Sequence, residues 1–394
     1  MDFRSYSTIS VPMHRKSLVL LLSSVSFLVI VGLVMLISTC VFSADADAAD
    51  GYREAKKQGF WLFLGIGLCV WAALTDYRFW KKRNWMLYGG VVFLLALCFV
   101  PGVGREINGE SRWIEVGALR LQPSEFAKIS VIVFLAYWFS RHPDGGNHFI
   151  RGFGAPLAVV ALPLFLILFE VDIGTTAVLS ATTLLILYVA GSNWKYLTGL
   201  CLTGVVAFIG MMSYAPNRVQ RIMAFLDLEK HQDGAGYQQW LSLMAIGSGG
   251  MTGRGVGEGR LKMMYMPFAH TDFIFPMIGE EMGLVCTILV VLAFVFLVFS
   301  GFIIGAHAPD RFGTLLAIGL VGYIGFQAFL NIGVTTAMLP NTGLTLPFVS
   351  YGGSSLLIGF VAVGILINIY RQGVVEKGED EDWVIRRNRI TPRA

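Results

Sequence analysis

Residues 18–42 read LVLLLSSVSFLVIVGLVMLISTCVF and contain no charged side chain. At about 1.5 Å per residue, a helix of about 25 residues crosses the roughly 30 Å hydrocarbon core of a bilayer. The run follows Arg15 and Lys16, and it is longer than the roughly 7–15 apolar residues of a secretory signal. We therefore expect a membrane helix that is retained in the mature protein.

The rest of the chain carries further apolar runs. The 394 residues are 55% hydrophobic and 14% charged, with a mean hydropathy of +0.65, whereas soluble domains are about 25% charged. This composition excludes an ordinary soluble enzyme and predicts an all-α, polytopic membrane protein with about ten transmembrane helices in one membrane domain. The other runs cover residues 60–75, 86–100, 125–139, 155–170, 174–190, 196–212, 273–303, 314–337 and 348–370.

Basic residues predict the orientation of these helices. Short cytoplasmic loops carry an excess of Lys and Arg, whereas long loops follow no such rule. The comparison predicts that both termini are cytoplasmic and that residues 213–272 form a long external loop between helices 7 and 8. Residues 1–17 are then a cytoplasmic N-terminus, residues 18–370 the transmembrane domain, and residues 371–394 a charged, partly disordered cytoplasmic tail. The cytoplasmic loops would hold Arg78, Lys81, Lys82, Arg83, Arg141, Arg151, Lys195 and Arg311, and the short external ones Arg53, Lys56, Lys57, Arg105, Arg112 and Arg120.

The cysteines predict no disulfide and no metal site. All of them lie in or beside apolar runs, without the spacing of metal ligands. We expect them to be packing residues: Cys40, Cys69, Cys98, Cys201 and Cys286.

Asp272 is the strongest candidate for a functional residue. It lies at the start of an apolar run, in the sequence His270-Thr271-Asp272-Phe273, and an acid at the membrane boundary is a functional hypothesis by default. The preceding 60-residue segment contains Arg218, Arg221 and a glycine cluster at 247–250, and clustered glycines let backbone amides approach an anion. A carboxylate beside such a basic external pocket indicates chemistry on an anionic substrate.

The same segment has one amphipathic part. Trp240, Leu241, Leu243, Met244 and Ile246 predict a helix that lies along the membrane surface. The segment is therefore more than a flexible connector.

The segment around residues 112–128 permits two interpretations. Pro123 suits the first turn of a helix, which would bring Glu125 and Lys128 together at positions i and i+3 just inside the membrane. They could form a local ion pair, or Lys128 and Arg112 could bind phosphate, Arg112 through its planar guanidinium group, with Trp113 at the interface. Spacing alone does not choose between these alternatives.

Two further polar segments enter the apolar region. Glu170 and Asp172 are costly at a helix junction unless they are paired or hydrated, so we favour pairing with a basic partner such as Lys128 over a water-filled cavity. The last external bend carries Pro340 and Pro347 among glycines and serines, and such crowding marks non-helical backbone facing a cavity. We interpret residues 339–355 as part of a pocket wall.

Taken in order, these motifs closely resemble the SEDS family (shape, elongation, division and sporulation), and the resemblance covers residues from about 15 to 370. Within the family the chain is more similar to the division branch than to the elongation branch. It departs from the family pattern at Glu170-Val171-Asp172 and at Phe268, where the family has a glutamate. The motifs are Ser111-Arg112-Trp113-Ile114, residues 122–128, Gly236-Tyr237-Gln238, residues 247–250, residues 270–275 with Gly279-Glu280-Glu281, and residues 347–355.

The resemblance implies a peptidoglycan glycosyltransferase that polymerises lipid II at the outer face of the bacterial inner membrane, in septal cell-wall synthesis. Asp272 would act as a general base on the acceptor 4-hydroxyl, with inversion at the donor's anomeric carbon. No dedicated metal cage is expected, but Mg²⁺ or Mn²⁺ could be shared with the substrate pyrophosphate. The implied partners are lipid II, a class B penicillin-binding protein and other divisome membrane proteins, and no nucleic acid.

The resemblance also implies roles for individual residues. The substrate-binding set is Arg112, Lys128, Arg218, Arg221, Gln238, Ser248, His270, Thr271 and Ser350, and the structural or pocket set is Trp113, Glu125, Asp172, Glu281 and Pro347. Three alternatives stay open at this point: a lipid II flippase, a non-catalytic divisome scaffold, and a polymerase of the elongation type.

Overall fold

The computed structural model describes residues 11–41, 53–101, 104–107, 110–116, 119–143, 148–213, 216–264 and 270–390. Fourteen α-helices and three short strands form these parts of the chain, with a π-helical turn before α6 and a 3₁₀ turn after α9. The helices are α1 (Val11–Val41), α2 (Arg53–Leu74), α3 (Arg78–Lys82), α4 (Asn84–Leu97), α5 (Pro123–Arg141), α6 (Ala155–Phe169), α7 (Ile173–Val189), α8 (Trp194–Ser213), α9 (Pro216–Leu226), α10 (Tyr237–Gly249), α11 (Leu261–Met264), α12 (Ile274–Ala306), α13 (Arg311–Thr335) and α14 (Gly353–Ile390).

Each of the ten apolar runs overlaps one of the helices α1, α2, α4–α8 and α12–α14. Six helical segments of the described chain are long and apolar enough to cross a bilayer, while α4 and α7 are apolar but shorter. The chain is thus a mostly helical membrane protein, and the count of ten spans stays a prediction. The six segments are Lys16–Thr39, Arg53–Leu74, Ile150–Phe169, Ile274–Ala306, Arg311–Thr335 and Gly353–Val375.

Helices α13 and α14 form the centre of the bundle. In their most apolar windows 72% and 78% of residues are buried, compared with 28% in α2. The exposed side chains of α2 and α12 are largely apolar, including Phe63, Val70 and Val295, as expected for helices that face lipid. The charged tail is helical as far as Ile390, and its partial disorder stays a prediction.

The all-α prediction is incomplete because a small sheet precedes α5. Strands β1 (Gly104–Ile107), β2 (Glu110–Val116) and β3 (Leu119–Leu121) form an antiparallel sheet in the order β1-β2-β3, with Ile114 opposite both Gly104 and Leu121. Apolar and charged residues alternate in β3, from Leu119 to Leu121, and this period of two is the signature of a strand. Pro123 then starts α5, where it lies in the first turn.

The helix predicted in the long segment is confirmed as α10, which packs on the bundle; its position along the membrane surface stays a prediction. Its buried residues include Gln239, Leu241, Ser242 and Ala245. The Gln239 amide donates hydrogen bonds to the carbonyl oxygens of Val334 at 2.9 Å and Leu339 at 2.8 Å, and the Ser242 hydroxyl donates to Thr335. These bonds fix α10 to the end of α13.

The glycine-rich stretch after α10 inserts into a kink of α12. Gly283 interrupts the helix with φ +76°, and a Cβ atom there would lie 2.3 Å from the backbone nitrogen of Gly253. The freed backbone groups of α12 find partners in the loop, because Leu284 N donates to Gly250 O at 2.9 Å and Val285 N to Met251 O at 3.3 Å. Glycine is required at this contact for both conformation and space.

The cysteines agree with the packing prediction in part. Among the described thiols Cys98 is buried and Cys69 and Cys286 are half-buried, all without a disulfide. Cys201 is exposed on α8 and so does not pack inside the bundle. The side chain of Cys40 lies outside the described residues.

Candidate functional site

Asp272 lies directly before α12, at one end of the bundle. Its side chain is half-buried, and its Oδ2 lies next to the loop of residues 339–352, at 3.5 Å from where a Cβ atom of Gly343 would stand. The Asp272 carbonyl oxygen accepts a hydrogen bond from Asn331 Nδ2 at 2.8 Å. The carboxylate is therefore held between the start of α12 and this loop, which we call the Pro loop.

Two amides on α13 hold the Pro loop in place, and the sequence reasoning missed both. Asn331 Nδ2 donates to Leu344 O at 2.6 Å as well as to Asp272 O. One turn earlier, Gln327 Nε2 donates to Thr345 O at 3.0 Å. Gln327 and Asn331 are four residues apart and therefore share a helix face. Two polar residues at this spacing in an apolar run were the available signal.

Lys128 forms the predicted ion pair with Glu125. The Lys128 side chain is 0% exposed, and its Nζ lies 2.7 Å from Glu125 Oε1 and donates to Gln327 Oε1 at 2.7 Å. A buried charge needs this kind of compensation, so the local pair predicted from the i, i+3 spacing is confirmed. Phosphate binding by Lys128 stays a prediction.

Arg112 lies beside Asp172 at the start of α7. Its guanidinium donates to Val171 O at 3.1 Å and lies 3.9 Å from Asp172 Oδ1, while Asp172 caps α7 by accepting from Thr175 N at 2.9 Å. The cationic neighbour of Asp172 is thus Arg112, and the expected pairing with Lys128 is wrong. The reason is depth, because Lys128 lies more than a helical turn below Pro123, against α13. Trp113 follows in β2 and is half-buried.

Glu170 differs from its neighbour Asp172 because it is buried without a hydrogen bond to either carboxyl oxygen among the described groups. Glu170 lies in the short link between α6 and α7 and is 1% exposed. Burial, aided by the negative charge of Asp172, raises the pKa of Glu170 to about 8, although Cys98 and Arg112 oppose the shift. Glu170 is therefore mainly protonated at neutral pH and adds no charge to the site.

The segment before Asp272 pairs with the end of the Pro loop. His270 O accepts a hydrogen bond from Tyr351 N at 2.9 Å, and the two rings meet edge to face with centroids 5.9 Å apart. Burial lowers the pKa of His270, and the Glu54 carboxylate opposes this shift. Thr271 lies half-buried between His270 and the acid.

Pro347 and Ser350 shape the loop from inside. Both are buried, and Ser350 Oγ accepts from Leu346 N at 2.8 Å. Between them Phe348 has φ +64°, a conformation that is uncommon for a bulky residue. The prediction of non-helical backbone at 339–355 is confirmed for the part before α14.

The long segment contributes less to this site than the sequence predicted. Gln238 reaches the Pro loop, since its Oε1 accepts from Asn341 Nδ2 at 2.8 Å. The Ser248 hydroxyl instead donates to Ala245 O at 3.0 Å within α10. Arg221 is exposed on α9, and the Arg218 side chain lies outside the described residues, so the substrate roles of both stay predictions.

Glu281 belongs to a second buried network beneath the glycine-rich loop. Its carboxylate lies 2.5 Å from Lys262 Nζ and accepts from Ser38 Oγ at 2.6 Å and from Gly257 N at 2.9 Å. The neighbouring Glu280 accepts from Arg260 N at 2.8 Å. These bonds tie the loop to α1 and α12, which fits the structural role predicted for Glu281.

Four helix N-termini adjoin the Pro loop. Helices α5, α7, α12 and α14 begin beside it, as the contact of Gly174 with Leu344 and the 3.0 Å hydrogen bond from Gln122 N to Ser354 Oγ illustrate. Helix N-termini present unpaired N–H groups and partial positive charge, which favours an anionic substrate. Among the described residues no cluster of three or more His, Cys, Asp or Glu side chains could hold a metal ion.

Comparison with known proteins identifies relatives along nearly the whole chain. The family model for FtsW/RodA/SpoVE cell cycle proteins matches residues 18–374. A probable peptidoglycan glycosyltransferase FtsW of Geobacter metallireducens is 38% identical over 90% of this chain and 95% of its own length. Stage V sporulation protein E of Bacillus subtilis is 39% identical over 87% of this chain and 94% of its own length.

Solved structures share the fold. One is a chain from a peptidoglycan synthase complex that coordinates polymerisation and crosslinking. It has a TM-score of 0.74 and 27% sequence identity, and the match covers 89% of this chain and 96% of that chain. The rod shape determining protein RodA of Thermus thermophilus has a TM-score of 0.64 at 28% identity, with 89% of this chain and 95% of its own covered.

Proposed function

The chain belongs to the FtsW/RodA/SpoVE family of cell cycle proteins, and we propose that it is a peptidoglycan glycosyltransferase that polymerises lipid II into glycan strands. The reaction takes place at the outer face of the bacterial cytoplasmic membrane. The single observation that supports it best is the position of Asp272. Its carboxylate is partly exposed and lies next to Gly343 of the Pro loop, while its backbone carbonyl accepts a hydrogen bond from Asn331.

In the reaction Asp272 acts as general base. It accepts the proton of the acceptor's sugar 4-hydroxyl while that oxygen attacks the donor's anomeric carbon and undecaprenyl pyrophosphate leaves, with inversion at that carbon. Base assistance of this kind contributes about 10²- to 10⁴-fold to rate.

The leaving pyrophosphate needs positive charge near the Pro loop, and preorganised electrostatic stabilisation often contributes more to catalysis than any other effect. The four helix N-termini supply part of it. The arginines Arg112, Arg218 and Arg221 supply the rest, together with a divalent cation that would be held with the substrate phosphates. The further predicted contacts, by Lys128, Gln238, Ser248, His270, Thr271 and Ser350, belong to the same proposal.

The topology and setting are part of the proposal as well. Residues 18–370 form one domain of ten spans with both termini cytoplasmic, and residues 213–272 lie outside between helices 7 and 8. A division role at the septum, with a class B penicillin-binding protein and other divisome membrane proteins as partners, is supported by the FtsW names of relatives that are 36–38% identical.

The decisive experiment supplies purified chain and partner transpeptidase with lipid II in detergent, where no membrane sides exist. Wild type should make glycan polymer, and Asp272→Asn should reduce the initial rate by about 10²- to 10⁴-fold with unchanged thermal unfolding. Asp233→Asn is the matched control, because Asp233 is an exposed acid of the same long segment. A parallel reaction with a metal chelator measures how much of the initial rate depends on a divalent cation.

Three results would change the proposal. Full activity of Asp272→Asn would remove the general-base mechanism. No polymer from wild type beside an active partner would instead favour the flippase or the scaffold. Activity supported only by an elongation-type transpeptidase would move the chain to the RodA-like branch.

A further inference from the structure

One cavity lies at the end of the bundle opposite Asp272. Its volume is about 410 Å³, and it lies where α2 ends and the apolar part of α14 ends. Helix α14 begins beside the Pro loop, and 23 residues of it form the candidate span to Val375, about 34 Å at 1.5 Å per residue. The cavity therefore opens at the other membrane boundary. Its lining includes Leu74, Asp76, Arg78, Arg371, Gln372 and Val375.

The lining of this cavity holds one more cation than anion, and the Asp310 carboxylate lies 3.7 Å from Arg78 beside it. Arg78 and Arg371 face it together with one acid, Asp76. Asp76 is occupied by the protein, since it accepts from Arg78 N at 2.8 Å and from Gln372 Nε2 at 3.0 Å. Two guanidinium groups thus surround one carboxylate that already has donors.

Both arginines keep donor capacity for a further anion. Arg371 donates one described hydrogen bond, to Ala73 O at 3.2 Å, and Arg78 lies 3.7 Å from Asp310 Oδ2 with nearly half of its side chain exposed. A guanidinium has five N–H donors in a planar fork that matches phosphate oxygens.

The other part of the cavity is apolar and exposed. Leu74 is 69% exposed and Val375 is 59% exposed, and they are the final residues of the candidate spans Arg53–Leu74 and Gly353–Val375. One turn before Leu74, Trp71 is 45% exposed. Apolar side chains at the end of a span face acyl chains. The charged part of the cavity therefore lies next to its apolar part, as the phosphate of a phospholipid lies next to its acyl chains.

We propose that this cavity binds the phosphate headgroup of an anionic phospholipid, with Arg78 and Arg371 on the phosphate and Leu74 and Val375 against the acyl chains. Basic pockets between membrane helices bind anionic headgroups in this way. A soluble phosphate would use only the two arginines. The site is separate from the chemistry at Asp272, so it goes beyond the proposed function and does not depend on it.

The test titrates delipidated full-length protein in one detergent with phosphatidylglycerol or with phosphatidylcholine, and counts bound lipid by native mass spectrometry. We expect phosphatidylglycerol to bind at least about 10-fold more tightly, and Arg371→Gln to lose this preference. Arg141→Gln is the matched control. Arg141 is an exposed arginine where α5 ends, at the same end of the bundle and outside the cavity.

Asp76→Asn should increase the affinity for phosphatidylglycerol, a change that misfolding could not produce. It keeps a side-chain acceptor for Gln372 and removes the negative charge, so phosphatidylglycerol should bind several-fold more tightly. Thermal unfolding followed by tryptophan fluorescence checks that each variant is folded, and if Arg371→Gln does not fold, Asp76→Asn decides alone.

Four outcomes would overturn the proposal. They are equal loss of binding in Arg371→Gln and Arg141→Gln, equal affinity for both lipids in wild type, unchanged affinity in Asp76→Asn, and displacement of phosphatidylglycerol by inorganic phosphate at similar concentration. The last outcome would assign the site to a soluble anion.

Discussion

Replacing Asn331 with leucine tests whether the hold on Asp272 and the Pro loop matters for catalysis. One amide nitrogen of Asn331 donates to Asp272 O at 2.8 Å and to Leu344 O at 2.6 Å, and the residue is 1% exposed. Leucine has a similar volume and no donor. Two buried carbonyl groups would lose this partner at about 1–3 kcal/mol each, so we expect a loss of about 2–6 kcal/mol in the free energy of unfolding.

The effect on rate should exceed what stability alone explains. The lost bond is to the backbone of the proposed base itself, and misplacement of a positioned group by about 1 Å can cost about 100-fold in rate. We therefore expect the initial rate of lipid II polymerisation to fall by about that factor. The rate is measured at a temperature where thermal unfolding shows that the variant is folded.

Asn84→Leu is the control for this experiment. Asn84 is also buried, and its amide donates to Lys81 O at 3.0 Å, at the end of the bundle away from Asp272. Its replacement should cost about 1–3 kcal/mol of stability and leave the rate nearly unchanged. A rate for Asn331→Leu within threefold of wild type, or an equal loss in both variants, would refute the idea that these hydrogen bonds position the base.

Variants at three further places test the surroundings of the site. Lys262→Met or Glu281→Gln alone should cost about 3–5 kcal/mol because each strands a buried partner, whereas the double variant should recover much of this loss in thermal unfolding. Glu170→Gln should flatten the dependence of stability on pH. The wild-type carboxyl has a pKa raised from 4.5 to about 8, so the stability that the protonated group contributes is complete below about pH 4.5 and is lost as the pH rises to about 8. The free energy of unfolding should fall over this range by at most about 1.4 kcal/mol per pH unit. A wild-type profile with no such decline would contradict the buried neutral acid. Gly283→Ala should destabilise the protein by several kcal/mol, because φ is +76° and a backbone atom lies 2.3 Å from the new Cβ. Its control, Gly67→Ala, lies in a helix with open space around it and should be neutral or stabilising. Equal melting temperatures of the two variants would exclude the proposed contact at Gly283.

Length and hydropathy predicted the helical framework because the thickness of the bilayer fixes both. All ten apolar runs overlap helices, and the i, i+3 spacing of Glu125 and Lys128 placed their 2.7 Å ion pair among two alternatives. An interaction of this kind is local along the chain, so spacing can propose it without knowledge of the fold, although the structure had to choose it.

Long-range partners were not predictable in the same way. Arg112 and Asp172 are 60 residues apart, and only the packing of β2 against the α6–α7 link brings them together. The roles of Gln327 and Asn331 depend on backbone carbonyls of the Pro loop, which carry no sequence signal. The small sheet did have a signal, the alternation in residues 119–121, but three residues were too few to outweigh the surrounding apolar runs.

The charges next to the Pro loop explain why helix N-termini and the arginines of the long segment matter for the proposed substrate. Lys128 is paired with Glu125 and Arg112 lies beside Asp172, so each of these cations is compensated by an acid, and Asp272 adds a negative charge. A pyrophosphate that approaches this end of the bundle therefore gains less from Lys128 and Arg112 than it would from unpaired cations. The N–H groups of the helices that begin here, the arginines of the long segment and a cation carried with the substrate then supply a larger share of its stabilisation.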